Sequence, residues 1–171
     1  MVRGRQNPRY LGLPARLRKA RKTAEVTRMA LAQKAKVGTP TALYAETGKQ
    51  IPTVGSVARL AMALSVSAAW LAYGLGDMRT EGSAPTCDGM GARLESVRIE
   101  RQLTKAALAR QVSLSPSTVA DIEKGAQTGI DVLEALAKAL DVTPAWLAFN
   151  QGPRELPKRR RAAKPTAPAH P

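Results

Sequence analysis

The run VSLSPSTVADIEKG, residues 112–125, decides how the rest of the chain is read. Ser115 suits a helix N-cap, Pro116 the first helical position and Gly125 a left-handed stop, so both ends of a short helix are marked. Val119 and Ile122 stand three apart and take the inward face, which leaves Ser117, Thr118, Asp121 and Lys124 on the remaining faces. A helix built this way offers a polar side to a partner.

Upstream, TKAALARQV (residues 104–112) reads as a second short helix with Leu108, Ala109 and Val112 on its buried stripe, and two short helices joined by a tight turn make a helix-turn-helix. Downstream, an apolar helix ends in LAKALDVTPAWL. In Leu103, Thr104, Ala107, Leu108, Ala109, Val112, Ser115, Thr118, Val119, Ile122, Glu123 and Gly125 the segment resembles the phage-repressor helix-turn-helix, the Cro/CI-like or XRE family.

The same pattern occurs twice. Residues 14–77 match residues 91–152, first at an offset of 77 and, after one deleted residue, at 76. Ala15-Arg16-Leu17, Arg21, Thr27, Leu31, Thr41, Glu46 and Gly48 recur as Ala92-Arg93-Leu94, Arg98, Thr104, Leu108, Thr118, Glu123 and Gly125. Trp70-Leu71-Ala72 then recurs as Trp146-Leu147-Ala148. The expected fold is all-α: two tandem five-helix phage-repressor-like helix-turn-helix domains with disordered basic ends. The divisions are a basic arm 1–13, a first domain 14–77, a linker 78–90, a second domain 91–152 and a basic tail 153–171. Helices are expected at 14–22, 27–36, 39–47, 53–64 and 67–73, and again at 91–100, 104–111, 115–124, 129–140 and 143–149. Leu17, Leu31, Val37, Val57, Leu60, Leu64, Trp70 and Leu71 form the expected first core. Leu94, Val97, Leu108, Val112, Val119, Ile122, Leu133, Leu136, Leu140, Trp146 and Leu147 form the second. Both tryptophans are read as packing residues rather than base-stacking platforms.

A formal net charge of +14 makes an anionic partner the first expectation, with nucleic acid ahead of an anionic membrane surface. The charge is unevenly spread: residues 1–13 carry +3, 14–78 carry +7, 79–90 carry −1, 91–152 balance, and the tail from 153 carries +5. Phosphate-seeking charge therefore lies in the first copy and the ends, whereas the regular recognition pattern lies in the second. Cys87 is the single cysteine and His170 the single histidine, so there is no intrachain disulfide, no thiolate metal site and no cysteine-histidine or serine-histidine pair. No enzyme activity, metal or cofactor is implied. Residues 57–76 hold one charge, Arg59, but are rich in Ala, Ser and Gly and match a charged helix pair in the second copy; they read as two amphipathic helices, not a membrane span. A cytoplasmic protein of bacterial or phage type, associated with the nucleoid, fits these features.

The resemblance implies that the third helix of each copy enters the major groove while the start of the second touches phosphate. Carried over by position, this gives Thr27, Arg28, Thr39, Thr41, Tyr44 and Lys49 in the first copy as DNA-binding residues. It gives Thr104, Lys105, Ser115, Ser117, Thr118, Asp121 and Lys124 in the second. Asp121 repels phosphate but can accept from a cytosine amino group. In the first copy Ala42 and Ala45 replace Val119 and Ile122, a departure from the family pattern. Arg3-Gly4-Arg5 resembles the core of a minor-groove arm. The resemblance also implies structural ion pairs, Arg21 with Glu46 and Arg98 with Glu123.

The leading expectation is a sequence-specific double-stranded DNA-binding transcriptional regulator, a repressor, using the third helix of one or both domains. The alternative is an antitoxin-like or adaptor module in which the second domain binds a protein partner or a second copy of the chain. Extended, the 13-residue linker reaches about 43 Å, enough for recognition helices roughly 34 Å apart, but either a direct repeat or a two-fold arrangement satisfies it.

Overall fold

The structure is a computed structural model that describes residues 8–79 and 88–156. Arg3, Arg5, the centre of the linker and the tail beyond residue 156 lie outside the described residues. A 3₁₀ turn, Arg9–Gly12, leads into α1 (Leu13–Thr23), α2 (Arg28–Lys34), α3 (Thr39–Thr47), α4 (Val54–Leu64) and α5 (Ala68–Tyr73). The second half supplies α6 (Met90–Glu100), α7 (Lys105–Gln111), α8 (Pro116–Glu123), α9 (Ile130–Ala139) and α10 (Pro144–Phe149). The described residues are thus all-helical, with only two isolated β-bridges besides.

Side-chain hydroxyls begin most of these helices, because each accepts from a backbone N–H that the helix leaves unpaired. Thr27 accepts from Ala30, Thr53 from Ser56 and Ser67 from Trp70; Thr104 accepts from Ala107, Ser115 from Thr118 and Thr143 from Trp146. In the first half α3 is an exception: it starts at Gly38 without a side-chain cap and relies on Pro40 in its first turn.

The left-handed backbone positions repeat as well. Glu25 and Gln102, Lys36 and Ser113, Ser65 and Asp141, and Gly74 and Asn150 all have φ between 50° and 65°, and each pair is related by the offset of the repeat. Lys36 and Ser113 make the turns between α2 and α3 and between α7 and α8, so the same bend is imposed on two different residues.

Leu17, Leu31, Val57, Leu60 and Leu71 are buried in the first half, as are Leu94, Leu108, Val119, Ile122, Leu133 and Leu147 in the second. Ala42 and Ala45 are as buried as Val119 and Ile122, so α3 packs on its scaffold through a smaller face. The tryptophans depart from expectation: Trp70 and Trp146 are half-buried at the edge of the core, with the Arg154 guanidinium 5.2 Å from the Trp146 ring centroid. Val37 and Val112 are also only partly buried. The fully buried aromatics are instead Tyr73 and Phe149, the last residues of α5 and α10.

These two rings identify how the halves meet. Their centroids are 6.3 Å apart, and α5 packs on α10. Nearby, Thr53 and Gly129 form an antiparallel bridge in which Val54 N donates to Thr128 O at 2.9 Å and Ile130 N donates to Pro52 O at 3.3 Å. Residues 52, 53, 54 and 73 correspond to 128, 129, 130 and 149, so each contact turns into its partner when the halves are exchanged. Such self-complementary contacts mark a two-fold relation. The halves are arranged about a pseudo-two-fold axis, and their buried side chains form one continuous core.

Some contacts break the symmetry. Arg9 N and Tyr10 N both donate to the Glu134 carboxylate on α9, at 2.8 and 3.1 Å, so residues 9–12, counted with the arm in the sequence reading, form a turn docked on the second half. Gln151 Oε1 accepts from Ala69 N at 2.9 Å, tying the end of the second half to the start of α5. Residues 153–156 also depart from a disordered tail, since Thr143 N donates to Arg154 O and Glu155 bridges Val142.

Candidate nucleic-acid interface

The position of α3 and α8 depends on two glutamates whose side chains are almost wholly covered. Glu46, near the end of α3, is 1% exposed, and Arg21 of α1 meets it through two hydrogen bonds, Nε to Oε2 at 3.0 Å and Nη2 to Oε1 at 2.8 Å. Arg98 of α6 meets Glu123 of α8 in the same way, at 2.6 and 3.2 Å. The third guanidinium nitrogen of each arginine donates to the carbonyl before α2 or α7, Val26 O and Leu103 O, both at 2.9 Å. One planar side chain therefore joins the first helix, the turn before the second and the end of the third, which a forked donor can do and an ammonium cannot. Burial pushes the Glu46 carboxyl pKa up, but hydrogen bonds from Arg21 and Arg28 outweigh it and hold the group below its ordinary value. Arg21 and Arg98 are raised chiefly by hydrogen bonding to their glutamates.

Around this shared centre the halves differ in charge. Arg18 approaches Glu46 to 3.6 Å and Arg28 to 2.9 Å, so three guanidinium groups surround one carboxylate. In the second half the residue matching Arg18 is Glu95, 3.9 Å from Arg98, and Lys105 lies 3.3 Å from Glu123. Two cations there face two carboxylates. The excess charge of the first half is thus located partly at one pair of matching positions, 18 and 95.

Thr27 and Thr104 serve as the caps of α2 and α7 and are exposed. Arg28 and Lys105, which follow them, turn toward Glu46 and Glu123, so a carboxylate partly offsets the charge each would bring to a phosphate. Thr39 and Tyr44 are exposed on α3, Thr41 is half-buried, and Lys49 is exposed just beyond the helix. At the start of α8, Ser115 Oγ lies 2.8 Å from Ser117 Oγ and 2.7 Å from Thr118 Oγ1, which gathers three exposed hydroxyls at one helix end. Asp121 and Lys124 are exposed farther along. Among the described residues no group of three or more His, Cys, Asp or Glu side chains is placed to hold a metal, and no helix is long and apolar enough to cross a membrane.

Residues 94–147 match the helix-turn-helix family model. Over these residues the second half is similar to a helix-turn-helix of the XRE type. That family is one of DNA-binding transcription regulators, and the match runs from Leu94 in α6 to Leu147 in α10, spanning the helix pair α7–α8 and its scaffold. The first half lies outside the matched residues. No curated protein and no solved structure matches the chain.

The sequence reading missed several residues that hold this frame. Arg16 donates to Leu71 O and Ala72 O at 2.9 and 2.7 Å, and Arg93 donates to Leu147 O and Ala148 O, both at 3.0 Å. Each guanidinium closes the unpaired carbonyls at the end of α5 or α10. Arg16 and Arg93 recur in the repeat, and that recurrence was the available signal. Tyr73, whose hydroxyl donates to Ile130 O at 3.1 Å, was also open to recognition, because an aromatic residue stands at the matching position 149.

Proposed function

We propose that the chain is a sequence-specific double-stranded DNA-binding regulator, acting as a repressor by occupying its site, with both halves serving as helix-turn-helix domains. The family match over residues 94–147 carries this reading. It is supported in the first half by the same cap, turn and arginine–glutamate arrangement. In this reading α3 and α8 enter the major groove, Thr27 and Thr104 approach phosphate, and Lys49 and Lys124 add charge at the far helix ends. Arg21–Glu46 and Arg98–Glu123 hold the recognition helices rather than contact DNA. The first half and the basic ends supply most of the phosphate attraction.

The alternative, a protein partner or second chain bound through the second half, is weakened by the internal packing. The face of α10 and the start of α9 that a symmetric partner would use is covered by the first half. Binding of the full chain to labelled duplex DNA across salt concentrations tests the proposal. Six or more phosphate contacts lower affinity by about 10³-fold or more between roughly 50 and 200 mM salt. Absent or salt-insensitive affinity would refute it.

A further inference from the structure

We infer that one chain reads two successive major grooves and that its operator is an inverted repeat with unlike half-sites. This rests on the DNA-binding reading above and deepens it. The observation behind it is the pseudo-two-fold axis at Thr53 and Gly129.

The axis constrains α3 and α8 together. α3 ends at Thr47 and α8 at Glu123, each six residues before the bridge. At no more than about 3.4 Å per residue each path spans at most roughly 20 Å, and paired strands add about 5 Å. The two helix ends are therefore within about 45 Å of one another. Adjacent grooves on one face of DNA are roughly 34 Å apart, whereas sites two turns apart need about 68 Å, beyond this reach even when about 7 Å is added on each side to pass from helix end to helix centre. The Gly55 backbone also comes close to the Gln127 side chain, and residues 54–55 share a cleft with residues 123–125, which brings the end of α8 near the axis.

A two-fold relation turns the second recognition helix end for end relative to the first. Its half-site is consequently inverted, not repeated in the same direction. In a dimer of identical chains both half-sites meet the same residues; here they do not. Thr41 and Thr118 occupy matching positions, but Tyr44 of α3 corresponds to Asp121 of α8. Tyr44 presents a ring and a hydroxyl, and Asp121 presents only acceptors, which suit the cytosine N4 amino group. Both are exposed. The two half-sites share the base step beneath the threonines and diverge beneath Tyr44 and Asp121, where the second prefers cytosine.

Selection of full-length protein on randomised duplexes, combined with the mass of the complex in solution, tests this. Two inverted half-sites about 10–11 base pairs apart and one chain per duplex are expected. Asp121→Ala should relax discrimination at one base pair of one half-site by roughly 5- to 150-fold, and Asp121→Tyr should make the half-sites more alike. A direct repeat, a lone half-site, two chains per duplex, or a change in both half-sites on substituting Asp121 would overturn the inference while DNA binding stood. Failure to bind any duplex would remove the underlying reading, and this inference with it.

Discussion

Gly91 is the second residue of α6, and Gly55 is the second residue of α4, so replacing either with alanine changes the same position of a helix of the same length. Helix propensity alone favours alanine in both, by up to about 1 kcal/mol. The surroundings separate them. A Cβ at Gly91 would press on the Glu123 carbonyl oxygen and stand 2.7 Å from Ile122 O, so α6 would have to move away from the end of α8. Both obstacles are backbone and no rotamer relieves them. Overpacking costs about 1–3 kcal/mol, and the upper value applies where nothing flexible can yield. Subtracting the propensity gain leaves about 2 kcal/mol of destabilisation for Gly91→Ala, a fall of about 4–8 °C in Tm for a cooperative unit of this size. At Gly55 the obstacle is Gln127 Oε1, at 2.6 Å, the end of an exposed side chain that can swing aside. Gly55→Ala should leave Tm unchanged or raise it by up to about 4 °C. Thermal melts of the two variants by circular dichroism decide the matter: if Gly91→Ala melts at or above the parent, the close packing of α6 on α8 is wrong.

Arg98→Met and Glu123→Gln should each cost about 3 kcal/mol or more, since each leaves a buried partner uncompensated; an unchanged Tm in both would show that the pair does not anchor α8. Their double variant should lose less than the sum, because the two changes remove one shared interaction. The Glu46 carboxyl is held below its ordinary value of 4.5, so its contribution to stability is complete above that pH and is lost as pH falls through the folded-state value. The stability gap between the parent and Glu46→Gln should therefore shrink when melts are taken from pH 7 down to pH 3, and a gap independent of pH would contradict the charge assignment.

Much of the frame was legible because it rests on local chemistry. Ser115, Pro116 and Gly125 mark α8 through capping preferences, and the resemblance to the phage-repressor pattern implied the pairs Arg21 with Glu46 and Arg98 with Glu123, whose side chains meet in the structure. The arrangement of the halves was not legible. Its bridge is made by backbone groups at Thr53 and Gly129, and backbone pairing leaves no fixed side-chain signature. Left-handed turns at Glu25, Gln102, Lys36 and Ser113 were hidden because none is glycine. The docking of Arg9 and Tyr10 on Glu134 likewise uses main-chain donors, so the composition of residues 1–13 pointed only to their charge. Trp70 and Trp146 were overrated as core because bulk suggested burial, while the positions at the axis went to Tyr73 and Phe149.

Because the interface at Tyr73 and Phe149 lies within one polypeptide, its formation is a folding step and requires no encounter between molecules. A repressor assembled from two chains dissociates on dilution, and its site occupancy then rises with the square of protein concentration. For this interface the local concentration is set by the connecting chain, so melting should not vary with protein concentration and occupancy of a site by one chain should follow a simple hyperbola. Covalent linkage also frees the halves from changing together: a substitution at Tyr44 leaves Asp121 untouched, so each side of the molecule can be altered independently.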